Sequence, residues 1–372
     1  MGAAASSAAL FRRPTALRAA DATITIGVSG PQTGPNAQHG AQWVAAFDLA
    51  IEQIAAQGGP HLRYVFEDSQ SEPRQSVSIA QKFVNDPDIA IEVGDFSSTA
   101  SMAASPIYQR GKLVQFGMTN SHPDFTKGGD YMWSSSISQA EEQPNLADFA
   151  VNGLGLKKLA VLHLNTDWGN TSKTLFVQAA QALGAEIVAV EGFLPAERDF
   201  RSTLVRIRDT NPTGLILEAY YADAAVIARQ VHDLGLKQPI AAVSSVYSPK
   251  FIELGGDAVN GIYTQSNFFP DDPRPEVQAF VRAFQTRYGR QPDGFNATAY
   301  DTFILIGELV RQFGGTREAI RDGLTKIKNV PSVVYGKISF DPDTRRVAGA
   351  RYERLLVKDS QFTLWDGSRP AI

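Results

Sequence analysis

Downstream of residue 22 the chain alternates short apolar runs with segments whose apolar residues recur every three or four positions. Thr23–Val28 reads as a strand and opens into SGPQTGP, a run of turn formers. The next segment sets Trp43, Ala46, Phe47, Ala50, Ile51 and Ile54 on one helical face, and Gly58-Gly59 ends it. The pattern then predicts strands at Leu62–Glu67, Ile89–Val93 and Lys112–Phe116, with helices at Arg74–Val84 and Ala100–Gln109. It resumes after Asn145, predicting strands at Leu159–Leu164, Glu186–Val190, Gly214–Leu217 and Ile240–Val243 with helices between them. Strands spaced this way form βαβ units, hence parallel sheets covered by helices on both faces. Two such runs, of about five strands each, predict an α/β chain of two doubly wound lobes. The polar stretch Tyr131–Glu142 (YMWSSSISQAEE) reads as one crossover between them and Gly261–Asn267 as a second. Helices follow at Pro275–Tyr288, Asn296–Phe313 and Thr316–Ile327. Lys337–Phe340 and Arg351–Leu364 return to strand-like patterning around DPDTRR.

Composition narrows the reading. A length of 372 residues suits two domains of ~100–200 residues each. A hydrophobic fraction of 43% with 21 Phe supplies sizeable cores and excludes disorder as the main state. The net charge of −4 argues against a general nucleic-acid binder, which would carry a basic patch. With no Cys, a disulfide, Cys-ligated zinc, an iron–sulfur cluster and a thiol nucleophile are all excluded. That leaves the compartment open, because a domain this large needs no disulfide staple.

Residues 1–22 have a different character. Gly2–Phe11 is small and apolar, Arg12, Arg13 and Arg18 follow, and Ala20-Asp21-Ala22 would serve as a cleavage site. No basic residue precedes the apolar part, so an export signal here requires an upstream start supplying an Arg pair. The alternative is an Ala-rich disordered tail. After residue 22 no unbroken apolar run approaches the ~18 residues of a membrane span.

Nucleotide and catalytic motifs fail. Gly27, Gly30 and Gly34 lack the G-x-G-x-x-G spacing, and there is no P-loop, G-x-S-x-G elbow or S-x-x-K. His39, His61, His122, His163 and His232 are scattered, without H-E-x-x-H or a carboxylate at ligand spacing. No cofactor or metal is therefore expected, and no nucleophile–base set can be named for an enzyme.

The loops at the carboxyl ends of the strands are where open α/β sheets bind ligands. After Ile89–Val93 comes GDFSSTAS, in which Ser97, Ser98 and Thr99 open a helix. Hydroxyls and free N–H groups at a helix N-terminus suit a carboxylate, although a single hydroxyl there is equally an ordinary cap. Thr119 and Ser121 follow the next strand. Later loops supply Trp168 (NTDWG), Tyr220 and Tyr221 (EAYYAD), and Ser244, Ser245 and Tyr247 (SSVYSP). Loop aromatics suit walls for an apolar ligand; otherwise they cover helix ends.

The segments TITIGVSGPQTGPNAQHGAQWVAAFDLAIEQIAAQGG, EDSQSEPRQSVSIAQKFVND, GDFSSTASMAASPIY, HPDFT, the D-W-G turn, ERDF and ELGGDAVNGIY resemble the periplasmic leucine/isoleucine/valine-binding proteins. These are type I substrate-binding components of ABC importers, and the resemblance runs from Thr23 to about Phe340. It implies two Rossmann-like lobes joined by three crossovers and closing like a clamshell. Lobe 1 would hold residues 23–137 and 268–338, lobe 2 residues 139–267 and 339–372. It also implies an exported, periplasmic monomer that delivers a branched-chain or related amino acid to an inner-membrane permease. The family's carboxylate-binding serine falls on Ser98, beside Thr99, and its second carboxylate loop on Met118–Ser121, with Thr119 and Ser121 as hydroxyls. Its aromatic positions fall on His39, Trp168 and Tyr220 or Tyr221, with Tyr221 preferred.

Two departures matter. The family's disulfide would fall near Ser71 and Ser97 and is missing. The acid expected to pair an ammonium group falls on Ser244, and a buried ammonium without a carboxylate is costly. Either Glu218, Asp223 or Asp95 takes that role, or the ligand lacks the ammonium and is an aromatic carboxylate or amide. A ligand sensor on the same fold is the further alternative.

Overall fold

The computed structural model describes residues 23–347, 349 and 351–370; the export-signal reading of residues 1–22 lies outside them. The chain first builds β1 (Ile24–Gly30), α1 (Ala37–Ala56), β2 (Leu62–Asp68), α2 (Pro73–Asn85), β3 (Ile89–Gly94), α3 (Ser98–Gly111), β4 (Gln115–Gly117) and β5 (Met132–Ser134). These strands form an all-parallel sheet in the order β2-β1-β3-β4-β5. The chain then builds α4 (Gln139–Asp148), β6 (Lys158–Leu164), α5 (Asp167–Ala182), β7 (Glu186–Phe193), α6 (Arg201–Asp209), β8 (Gly214–Glu218), α7 (Tyr221–Asp233), β9 (Ile240–Ala242), α8 (Pro249–Gly255) and β10 (Tyr263–Ser266). In the second sheet β7-β6-β8-β9-β10 repeats the first sheet's order, which places a topological switch point between β1 and β3 and another between β6 and β8.

The inner strands β1, β3, β6 and β8 are buried on both faces, which is why they read as continuous apolar runs, while the edge strands β2 and β7 are only partly covered. Along β6 the alternation divides Ala160, Leu162 and Leu164 into one core and Leu159 and Val161 into another. α9 (Pro275–Tyr288), α10 (Gly294–Phe313) and α11 (Arg317–Leu324) return to the first sheet, where Phe303, Leu305, Ile306 and Leu309 share a core with Trp43, Phe47 and Ala50. Asp293 starts α10 with a reciprocal capping box to Asn296. A small ribbon, β11 (Val330–Ser332) with β12 (Gly336–Ile338), precedes the last crossing.

The structure departs from expectation in several places: the stretches Tyr131–Glu142 and Gly261–Asn267, read as crossovers, hold the strands β5 and β10, each paired into its sheet. The second sheet has seven strands, because β13 (Glu353–Lys358) and β14 (Gln361–Leu364) add antiparallel to β10. Arg351–Leu364 is thus a hairpin, turning at Asp359 and Ser360, both at positive φ. Residues 339–347, expected with the second lobe, stay with the first sheet. Arg346 bridges Ser134 in parallel, and Phe340 and Val347 pack in the first core. β4 is also shorter than expected, since Lys112 is the left-handed cap that ends α3. Among the described residues no helix is long and apolar enough to cross a membrane.

Candidate functional site

The carboxyl ends of the two sheets face one another across a cavity of about 100 Å³. The loop after β3 contributes Phe96, the loop after β4 Met118, Thr119 and Ser121, and α5 Trp168. Tyr220 follows β8, and Val243, Ser244, Ser245 and Tyr247 follow β9. The crossovers close one side with Ser136, Ile137, Asn267 and Tyr352, and α10 adds Phe295 and Thr298. A larger groove of about 470 Å³ runs between the crossovers. Its Arg274 is already paired with Asp272 at 2.9 Å, so that groove offers a solvated ion pair rather than an unmet polar demand.

The apolar wall is a chain of rings. Trp168 and Tyr220 lie 4.6 Å apart between centroids, Tyr220 and Phe96 4.9 Å, and Phe96 stacks on His39 at 3.9 Å. Contacts join the two sides around it. The Trp168 indole N–H donates to the Ser121 hydroxyl at 3.1 Å, and His122 Nε2 meets the Thr171 hydroxyl at 2.9 Å.

Of the residues singled out from sequence, Thr119, Ser121, Trp168, Tyr220, Ser244, Ser245 and Tyr247 line the cavity. Ser97, Ser98, Thr99, His39 and Tyr221 do not. Ser98 and Thr99 stand at the head of α3, where Ser97 is the cap accepting from the Ala100 N–H at 3.3 Å. Both hydroxyls are buried and have no hydrogen-bond partner among the described residues. His39 is fully buried behind Phe96, bonded through Nδ1 to Gln42, and burial drives its pKa down to about 3, so the ring is neutral. Tyr221 donates to the Pro35 carbonyl at 2.7 Å, leaving Tyr220 as the tyrosine on the wall.

None of the acids considered for an ammonium partner reaches the cavity. Asp95 accepts from Ser76 at 2.8 Å and Ser29 at 3.4 Å inside the first lobe. Glu218 accepts from Ser172 and Gln143, and Asp223 pairs with Arg198 at 3.0 Å. The acid on the wall is Glu142, in the first turn of α4. It is 5% exposed, and its Oε1 accepts both the Ser244 backbone N–H (3.1 Å) and the Ser244 hydroxyl. Burial raises its pKa while the two Ser244 bonds oppose that shift. Glu142 went unnoticed in sequence inside a stretch read as a polar crossover. The buried faces of Gln139, Glu142, Gln143, Leu146 and Ala147 fall at helical spacing, and polar residues on such an inward stripe were the available signal.

Two α/β lobes with matching strand order, joined by crossovers and enclosing a cavity at their facing strand ends, define a two-lobed ligand-binding protein. The chain belongs to the periplasmic binding protein family, whose description matches residues 23–352. Leu/Ile/Val-binding protein homolog 1 of Brucella abortus is 24% identical over 326 residues, covering 86% of each chain. The crystal structure of the leucine-binding protein LivK from Thermotoga maritima is 24% identical with a TM-score of 0.86, over 92% of this chain and 97% of that one. A solute-binding protein of an ABC transporter from R. palustris, in complex with 4-hydroxybenzoate, is 22% identical with a TM-score of 0.83, over 92% and 96%.

Proposed function

We propose that the chain is the extracytoplasmic substrate-binding component of an ABC importer. It captures a small carboxylate-bearing ligand with an apolar body between its lobes and presents it to an inner-membrane permease, acting as a monomer and without catalysis. The observation that carries this reading is the enclosed cavity itself: neutral hydroxyls of Thr119 and Ser121 sit on one side of a wall built from Phe96, Trp168, Tyr220, Tyr247 and Phe295. Such a site holds a carboxylate by hydrogen bonds and a side chain by aromatic contact, and closure removes water from both. The family and the Leu/Ile/Val-binding relative support a branched-chain or related amino acid. The ring-rich wall favours a second reading, an aromatic carboxylate. The lobes that close would be residues 23–137 with 268–347, and 139–267 with the β13–β14 hairpin.

Calorimetric titration of the purified protein with leucine, isoleucine, phenylalanine, benzoate and 4-hydroxybenzoate tests the reading. Saturable 1:1 binding of at least one compound at micromolar concentration is expected. Failure of all five, with the protein folded, would remove it. Fractionation of producing cells tests export, with the protein expected outside the cytoplasm.

A further inference from the structure

The cavity holds one carboxylate that nothing in the protein neutralises. Glu142 is buried on its wall, and among the described residues no Lys, Arg or His pairs with it. Its Oε1 is occupied by Ser244, and the nearby Tyr352 hydroxyl is buried without a partner. Leaving a charge in that state costs several kcal/mol unless a cation arrives.

The position of Glu142 relative to the hydroxyls is fixed by α4. The Gln139 N–H, one turn earlier, donates to the Ser121 carbonyl at 2.8 Å. Ser121 already receives the Trp168 indole through its hydroxyl oxygen, so its own proton is free to be donated into the cavity. One helical turn therefore separates a cluster that donates to a carboxylate from a group that accepts from a cation.

We propose that Glu142, steadied by Ser244, is the specificity-determining residue of the site and reads an ammonium group carried next to the ligand's carboxylate. This rests on the cavity being the ligand site, as proposed above. The carboxylate engages the first lobe through Thr119 and Ser121, the ammonium engages the second through Glu142, and the ring-lined wall receives a bulky apolar or aromatic side chain. A ligand with both groups bridges the lobes, whereas a ligand lacking the ammonium leaves Glu142 unmet.

The test titrates the protein with leucine and phenylalanine and with their counterparts lacking the amino group, 4-methylpentanoate and 3-phenylpropanoate. The intact protein is expected to prefer at least one amino acid over its counterpart by ~10-fold or more. Glu142→Gln, whose melting curve reports folding, should lose at least ~30-fold for the amino acid and change less than about 3-fold for the counterpart. Ser244→Asp in the Glu142→Gln background returns an acid to the neighbouring position and should recover part of the loss. If the intact protein binds the deaminated acids as tightly, or Glu142→Gln weakens both classes equally, the proposal is overturned while the cavity remains the site. If none of the four binds, it falls together with the reading beneath it.

Discussion

The Tyr221 hydroxyl donates to the Pro35 carbonyl at 2.7 Å, tying the start of α7 on the second sheet to the loop between β1 and α1 on the first. The two residues are 186 positions apart, and the Tyr221 ring also meets the His39 edge at 5.2 Å between centroids. This contact lies beside the cavity and links loops that belong to the two sheets.

Removing that bond should act on closure. Tyr221→Phe keeps the ring against His39 and deletes one neutral hydrogen bond, worth ~0.5–1.5 kcal/mol. Ligand affinity should fall about 2- to 13-fold, mainly through faster dissociation, with little change in the melting temperature of the free protein. Stopped-flow dissociation separates the rates. An unchanged dissociation rate would show that the bond plays no part in holding the closed form.

Ser98 offers a different signature. Its hydroxyl is buried and unpartnered at the N-terminus of α3, which is costly unless a ligand or water satisfies it. Ser98→Ala removes the unmet group, so the free protein should melt at the same temperature or slightly higher. If a ligand carboxylate reaches this hydroxyl on closure, affinity drops about 10- to 150-fold, the range for a hydrogen bond to a charged group. Unchanged affinity would leave Ser98 as a residue of the helix start alone.

The contrast between Thr119 and Glu142 explains what the sequence could disclose. Strands buried on two faces and helices with one apolar stripe leave strong local patterns, so β1 to β4 and β6 to β9 were legible along with the loops that end them, whereas the short strands β5 and β10 fell inside Tyr131–Glu142 and Gly261–Asn267, stretches read as crossovers. Thr119, Ser121, Trp168 and Ser244 sit in those loops and were found by that rule. Glu142 and Tyr352 reach the same cavity from a helix and a crossover, 210 positions apart by residue number, and only tertiary packing brings them together. Arg351–Leu364 read as strand-like, but the turn that makes it a hairpin was missed because it uses Asp359 and Ser360 rather than the expected Gly. Tyr221 and His39 were drawn to the site by resemblance, but the Tyr221 hydroxyl is used by Pro35, and His39 is bonded through Nδ1 to Gln42 and buried behind Phe96.

Arg346 ties the last crossing segment to the loop that carries the carboxylate hydroxyls. It is 5% exposed and donates to the carbonyls of Asn120, His122 and Ser136 and to the Ser134 hydroxyl. Among the described residues no carboxylate pairs with it, and burial lowers its pKa to about 10. Arg346→Met fills similar space but orphans several buried acceptors, each worth ~1–3 kcal/mol when left unmet. Stability in urea should drop by at least ~2 kcal/mol, and affinity should drop with it because Thr119 and Ser121 lose their support. A variant that folds as stably as the parent would show that water replaces the guanidinium without cost.

The buried acids predict an unusual dependence of stability on pH. Burial raises Asp95, Asp293 and Asp301 to about 6 and Glu218 to about 8, above the usual carboxylate range. In the unfolded chain these groups release their protons near pH ~4. Between pH ~4 and about 6 the native state therefore binds more protons than the unfolded state, and Glu218 extends the difference to about 8. The native state is thus favoured on the acid side, and this contribution is lost as pH rises through the folded values. Asp68, Asp124 and Asp130 are shifted the other way by hydrogen bonds and neighbouring cations, so their contribution is lost only on acidification below the usual range. The two sets together place the stability maximum of the ligand-free protein near pH ~5. Glu218→Gln preserves the shape that accepts from Ser172 and cannot ionise, so it should flatten the decline between pH 6 and 8 while leaving the rest of the curve in place. Urea melts at pH 5, 6.5 and 8 on both proteins measure this directly. A parent protein more stable at pH 8 than at pH 5, or a Gln variant with the same decline above pH 6, would show that these carboxyls reach water on ionisation and do not govern stability.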